Sequence, residues 1–85
     1  MNDLYLICRI EMYKIAGDSV RKDHASILPV VCKGLDGVKE FFINCGEKVA
    51  ITSPTTAKSA EIWYGSGGME SRWYEYEAIK PEIKG

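Results

Sequence analysis

Residues 3–15, DLYLICRIEMYKI, alternate with a period of two, and this pattern sets the terms for the rest of the chain. Leu4, Leu6, Cys8, Ile10 and Met12 make a wholly apolar row, and Tyr5, Ile7, Arg9, Glu11 and Tyr13 make a mixed one. Successive side chains of an extended strand point to opposite faces, so the pattern belongs to a strand with one buried face. The even-numbered row is expected to point at the core.

The following residues punctuate the chain into short elements. Gly17-Asp18 marks a turn. Residues 18–26 are polar and read as a loop or the ragged start of a strand, and Ile27 to Cys32 is apolar and β-branched. Pro29 demotes that run to an edge strand or a strand start, because proline cannot donate to a ladder. Residues 34–37, Gly-Leu-Asp-Gly, carry turn chemistry.

Residues 35–45 admit two readings. As a helix, Leu35, Val38, Phe41 or Phe42, and Cys45 share one face, with Asp36 as cap and Gly46 as stop. As a strand, Val38 to Ile43 returns from a hairpin at Asp36-Gly37. The apolar spacing favours the helix. Lys48 to Thr52 alternates as a strand, and Ser53-Pro54 then resembles a helix start, with a short helix over 54–60. Two aromatic-rich runs, Ala60 to Tyr64 and Ser71 to Ile79, flank the connector Gly65-Ser66-Gly67-Gly68 and predict a hairpin. In its second arm Tyr74, Tyr76 and Ala78 share one face, and Trp73, Glu75, Glu77 and Ile79 share the other. Pro81 breaks the tail, which is expected to fray.

These elements predict a small α+β domain over residues 1–85, with an antiparallel sheet of four or five strands and one or two short helices. The alternative is an all-β half-open barrel. Eighty-five residues suit a single domain or a piece of one, with a thin core.

Composition narrows the function classes. Eleven Lys and Arg against twelve Asp and Glu give a net charge of −1, which excludes a strongly basic nucleic-acid coat and an acidic nucleic-acid mimic. No apolar run approaches the ~20 residues that span a bilayer, and no basic stretch or cleavage site of a signal peptide follows Met1. Cys8, Cys32 and Cys45 are odd in number and sit among apolar neighbours, which fits buried free thiols in a reducing cytoplasm better than a disulfide scaffold. A zinc site from these three and His24 lacks any CxxC or HxxxH spacing, so no metal and no cofactor are expected.

Catalytic patterns are equally thin. The glycine-rich connector is followed by Met69-Glu70-Ser71 where a phosphate loop needs Lys-Ser or Lys-Thr. His24 stands among charges with no motif around it, and the Glu75/Glu77 pair has no apolar pocket to raise either pKa.

What remains is recognition. Trp63, Tyr64, Trp73, Tyr74 and Tyr76 supply stacking surfaces, but Arg72 is the sole cation between residues 60 and 79, against Glu61, Glu70, Glu75 and Glu77. Nucleic-acid affinity is largely electrostatic, so a nucleic-acid-binding β domain ranks second. A cysteine-dependent enzyme ranks third. The leading expectation is a non-enzymatic protein-binding module, either an inhibitor acting by occlusion or a homo-oligomeric accessory subunit. Trp63 and Trp73 are its expected anchors, with Tyr64, Arg72 and Glu75 beside them, because Trp, Tyr and Arg dominate interface hot spots. Trp73 in particular is expected outside the core, since it alternates with carboxylates that are costly to bury.

Overall fold

The computed structural model describes residues 3–15, 20–45, 49–64 and 70–81. Six strands and one helix follow in the order β1 (Leu4–Ile15), β2 (Arg21–Lys33), α1 (Gly34–Asn44), β3 (Val49–Ser53), β4 (Thr56–Ser59), β5 (Ile62–Tyr64) and β6 (Glu70–Ile79). They form one antiparallel sheet of order β2-β1-β6-β4-β3, with β5 also paired to β6. Because β1 occupies one edge of β6 along its whole length, β4 and β5 share the other edge, at residues 75–77 and 70–72. The six strands therefore fill five positions. This is the small α+β architecture the pattern predicts, with β2 at the sheet edge as Pro29 requires.

The ladder β2-β1-β6-β4-β3 is antiparallel at every step, so β2 and β3 run in the same direction. They lie at opposite ends of the sheet and are joined by α1, which crosses one face on its way. Gly34 opens the crossover with φ 68°, a left-handed conformation that costs a side-chain-bearing residue about 1–2 kcal/mol. Its N–H donates to the Asp3 carbonyl at 2.6 Å, tying the crossover to the start of β1. At Gly37 the helix passes close to β2, where an added Cβ would stand 3.5 Å from the Cys32 backbone. Lys33 is the N-cap and its side chain makes no capping bond. Asp36 lies in the first turn instead, where its charge suits the positive end of the helix dipole. The Gly46 stop and the Gly17-Asp18 turn lie outside the described residues, as does the Gly65–Gly68 connector.

The helix buries Val38 and Phe42 against Ile7, Cys32, Ala57 and Ala78. Tyr5, Leu28, Val30, Phe41, Val49 and Tyr76 pack around this cluster. The face of β1 that meets the core is thus the odd one, Tyr5 and Ile7, and not the even-numbered row. Ile7 is fully buried, whereas Leu4 is 47% exposed and Leu6, Cys8, Ile10 and Met12 are only half-buried. The hand of the β2-α1-β3 crossover decides which face the helix takes, since such connections are right-handed almost without exception. The composition of β1 has no part in that choice.

One further expectation is resolved and one changes. Of the two readings of residues 18–26, the strand start holds from Arg21, where β2 begins, and His24 pairs with Glu11. Residues 54–60 are not helical: Pro54 and Thr55 turn the β3–β4 hairpin, and Thr56 to Ser59 are extended. The Ser53 hydroxyl accepts the Thr55 N–H at 3.2 Å and lies 2.6 Å from the Thr56 hydroxyl. A serine that can cap a helix by accepting the N–H two residues on does the same service in a tight turn, and the adjacent threonines then favour sheet.

Candidate functional site

One helix of 11 residues, about 16 Å long, serves a sheet whose first strand of 12 residues runs about 40 Å. Such a helix can close one face over part of its length. The opposite face has no second layer among the described residues.

The register lays out that open face in rows. Along β1 it presents Leu4, Leu6, Cys8, Ile10 and Met12. Their cross-strand neighbours on β2 are Lys33, Val31, Ile27, Ala25 and Lys22. On β6 the neighbours of Leu6, Cys8, Ile10 and Met12 are Ile79, Glu77, Glu75 and Trp73. Directly paired residues share a face, so these fourteen positions lie together. Ile27 is 53% exposed, Val31 59% and Ile79 36%. With Leu4 they border the half-buried β1 row and make a continuous apolar stripe. A shallow depression lined by Ile10, Thr56, Lys58, Glu75 and Glu77 continues it towards β4.

The expected anchors divide between the two faces. Trp73 and Glu75 belong to the open face, and backbone pairing of Trp63 with Ser71 assigns position 63 to the same side. Arg72 and Tyr64 fall on the other side by the same register. Arg72 is exposed and pairs with Glu70 at 3.0 Å. The side chains of Trp63 and Tyr64 lie outside what is described.

Trp73 does not stand out from the surface as expected; it is 6% exposed. Its indole N–H donates to Glu75 Oε2 at 3.2 Å, and Lys58 Nζ lies 5.0 Å from the ring centroid. The carboxylate that seemed to forbid burial provides the indole N–H with its acceptor, while a cross-strand lysine covers the ring. On this face the large apolar residues that do project are Leu4, Ile27, Val31 and Ile79, which the anchor argument missed. The available signal was a count of layers: β1 and the Ile27–Cys32 run supply apolar side chains to both faces, and a single short helix covers one.

Elsewhere the chemistry is quiet. His24 and Cys32 stand eight residues apart on one strand, roughly 26 Å at a ~3.3 Å rise, and Cys8 lies on the face opposite His24. No group of three or more His, Cys, Asp or Glu converges as a metal set among the described residues. On the helix side, the Arg9 guanidinium stacks 4.9 Å from the centre of the Tyr74 ring.

Burial pushes the Cys32 thiol up, and burial with the nearby Cys32 pushes up Cys45. Tyr76 is raised by burial first, then by Cys45 and Tyr74, against the opposing charge of Arg9. All three hold their protons more tightly in the folded chain than in the unfolded one. Their contribution to stability is therefore complete below the ordinary thiol value of 9.0 and is lost as pH rises through it towards the raised folded values. The melting temperature should hold level to about pH 8 and fall above about pH 9. A melting series across that range checks this, and a rise through it would contradict the burial of these groups.

No helix among the described residues is long and apolar enough to cross a membrane. No family model matches the chain, and neither the curated proteins nor the solved structures yield a match.

Proposed function

We propose that the protein is a small non-enzymatic protein-binding module whose docking surface is the open face of its sheet. The carrying observation is the uncovered apolar stripe of Leu4, Leu6, Ile10, Ile27, Val31 and Ile79. With its charged rim of Lys22, Lys33, Glu75 and Glu77 the face spans nine residues of β1 and three adjacent strands, roughly 30 Å by 14 Å in projection, and the apolar stripe is part of it. An exposed apolar stripe rimmed by polar residues is often an interaction surface. A flat, rimmed face suits occlusion of a partner's surface and assembly as an accessory subunit alike. Trp73 and Glu75 support the β6 side of this surface from within. The acidic β6 row argues against nucleic acid here, because phosphates would meet Glu75 and Glu77.

Affinity capture with nuclease-treated lysate tests the reading. Ile27→Glu and Val31→Glu, both at exposed positions, should keep the fold and lose the captured protein. Lys39→Glu on the helix should keep both. Capture that survives the open-face substitutions, or that vanishes with nuclease alone, would sink the assignment.

A further inference from the structure

The two edges of the sheet are finished differently. On β2, Leu28 to Val30 stand against Ile7 alone, and Asp23 is an extra residue between the Glu11 and Met12 pairs. Pro29 removes a backbone donor, and Arg21, Lys22, Asp23 and Lys33 add charge. Bulges, proline and charge are the ordinary means by which an edge avoids pairing with another strand. β3 has neither the proline nor the charge. Its single register shift lies at Thr52 beside the turn, and no strand pairs its outer side among the described residues. Alternate residues of such an edge hold their N–H and C=O groups away from the neighbouring strand, open to a further one.

A groove runs beside this open edge. Because α1 returns along the sheet between two strands of the same direction, its first turn lies next to the end of β3. Leu35 and Lys39 wall the groove on the helix side and Ile51 and Ser53 on the strand side, with the buried Phe42 beneath. Pairing with the buried Ala57 puts Ile51 on the helix side of the sheet, and both Ile51 and Leu35 remain exposed there. The groove has a volume of about 400 Å³, within the range of pockets that hold ligands.

We infer that this groove binds an extended peptide segment of another protein, added antiparallel to β3 as a further strand of the sheet. The open edge supplies main-chain hydrogen bonds, and alternate side chains of the peptide enter the groove, where Leu35, Phe42 and Ile51 accept apolar ones. This surface is distinct from the open face, and each can bind without the other. Charge sets the order of the peptide. Asp36 and Lys39 stand one turn apart along the groove, and neither makes an ion pair among the described residues. Asp36 is the nearer of the two to the Ser53–Pro54 end. The complementary peptide carries a basic residue towards that end and an acidic residue two positions further along. Three residues of helix rise about 4.5 Å and two of strand about 6.6 Å, a difference that long side chains absorb. In an antiparallel peptide the basic residue therefore comes first. The shortness of β3, five residues, limits the contact to a short segment.

A random peptide library displayed on phage and selected against the immobilised full chain supplies the probe, and the enriched peptides are then synthesised and titrated. They should show apolar residues at alternate positions and the basic residue ahead of the acidic one. Ile51→Lys should weaken their binding by about tenfold or more, since it sets a charge on the apolar wall. Val31→Glu on the open face should leave it unchanged. Melting curves show that each variant folds, and should Ile51→Lys fail to fold, Leu35→Lys gives the same reading from the helix wall. Bound peptide should slow hydrogen exchange at the β3 amides that point away from β4. Selection against the chain carrying both Asp36→Lys and Lys39→Glu should reverse the charge order. The proposal falls if no peptide is enriched, or if binding survives Ile51→Lys and Leu35→Lys. Loss of binding with Val31→Glu would move the peptide to the open face and overturn it equally. Unprotected β3 amides would mean an occupant that adds no strand, and an unreversed charge order one that ignores Asp36 and Lys39. Either result defeats the proposal.

Discussion

Trp73→Ala is expected to lower the stability of the folded chain by about 3–5 kcal/mol, the range for truncating a buried aromatic. The indole is 6% exposed, held under Lys58 and hydrogen-bonded to Glu75. Its loss empties the space between β6 and β4 and strips Glu75 of its donor. A domain of this length has roughly 4–13 kcal/mol in all, so about a quarter or more of it disappears. The melting temperature should drop by about 12 °C or more, given ~4–8 °C per kcal/mol for small domains. Thermal melts of wild type and Trp73→Ala decide the matter. A shift of only a few degrees would mean that Trp73 stabilises little and is available as a contact. Lys58→Ala should cost far less, about 0.5–1 kcal/mol for one cation over a ring at a partly exposed site.

Phe42→Ala should be as severe, for a different reason. Phe42 is the largest fully buried side chain among the described residues and, with Val38, attaches α1 to the sheet. Its ring lies 6.3 Å from that of Tyr76 and 6.1 Å from that of Phe41, in tilted and edge geometries that add to simple burial. Truncation should cost about 3–5 kcal/mol. The consequence is local as well as global, since the helix packs over Ile7 and Cys32. Amide exchange along Gly34–Asn44 should accelerate, and the buried Cys32 thiol should become accessible to alkylating reagents. Should Phe42→Ala fail to fold, Phe42→Leu keeps most of the volume and should show the same ordering of effects at smaller size. A well-folded Phe42→Ala with Cys32 still protected would show that the helix is held mainly by Val38.

Neither side chain was readable in the same way from sequence. Phe42 lay on the helical spacing of Leu35, Val38 and Cys45, and the structure buries it on that face. Local periodicity suffices there, because a helix with one apolar stripe has one face to hide. Trp73 shows the limit of the local argument. Alternation with Glu75 and Glu77 correctly placed it on their face of β6, but said nothing of Lys58, which reaches it from a strand fifteen residues earlier in the chain. Burial of a polar-edged aromatic turns on whether an acceptor and a cover arrive from elsewhere, and those are tertiary facts. Ser53-Pro54 erred for a related reason: its hydroxyl can accept an N–H two residues ahead at a helix start or in a hairpin turn, and only pairing of β4 with β6 distinguishes them.

The amino-acid sequence by itself determined the strands of β1 and β6, and it favoured the helix between β2 and β3 and an edge position or strand start at Pro29. Each rests on a period, a breaker or a spacing that acts within a few residues. It also determined which side chains of β1 travel together, since a strand's two rows are fixed by its pleat. Which row met the core was decided by tertiary structure alone. The pleat makes the two faces of a strand equivalent until something covers one, and the cover comes from a crossover whose hand and landing strand are properties of the whole sheet. With α1 on the side of Tyr5 and Ile7, the more apolar row of Leu4, Leu6, Cys8, Ile10 and Met12 was left on the open face.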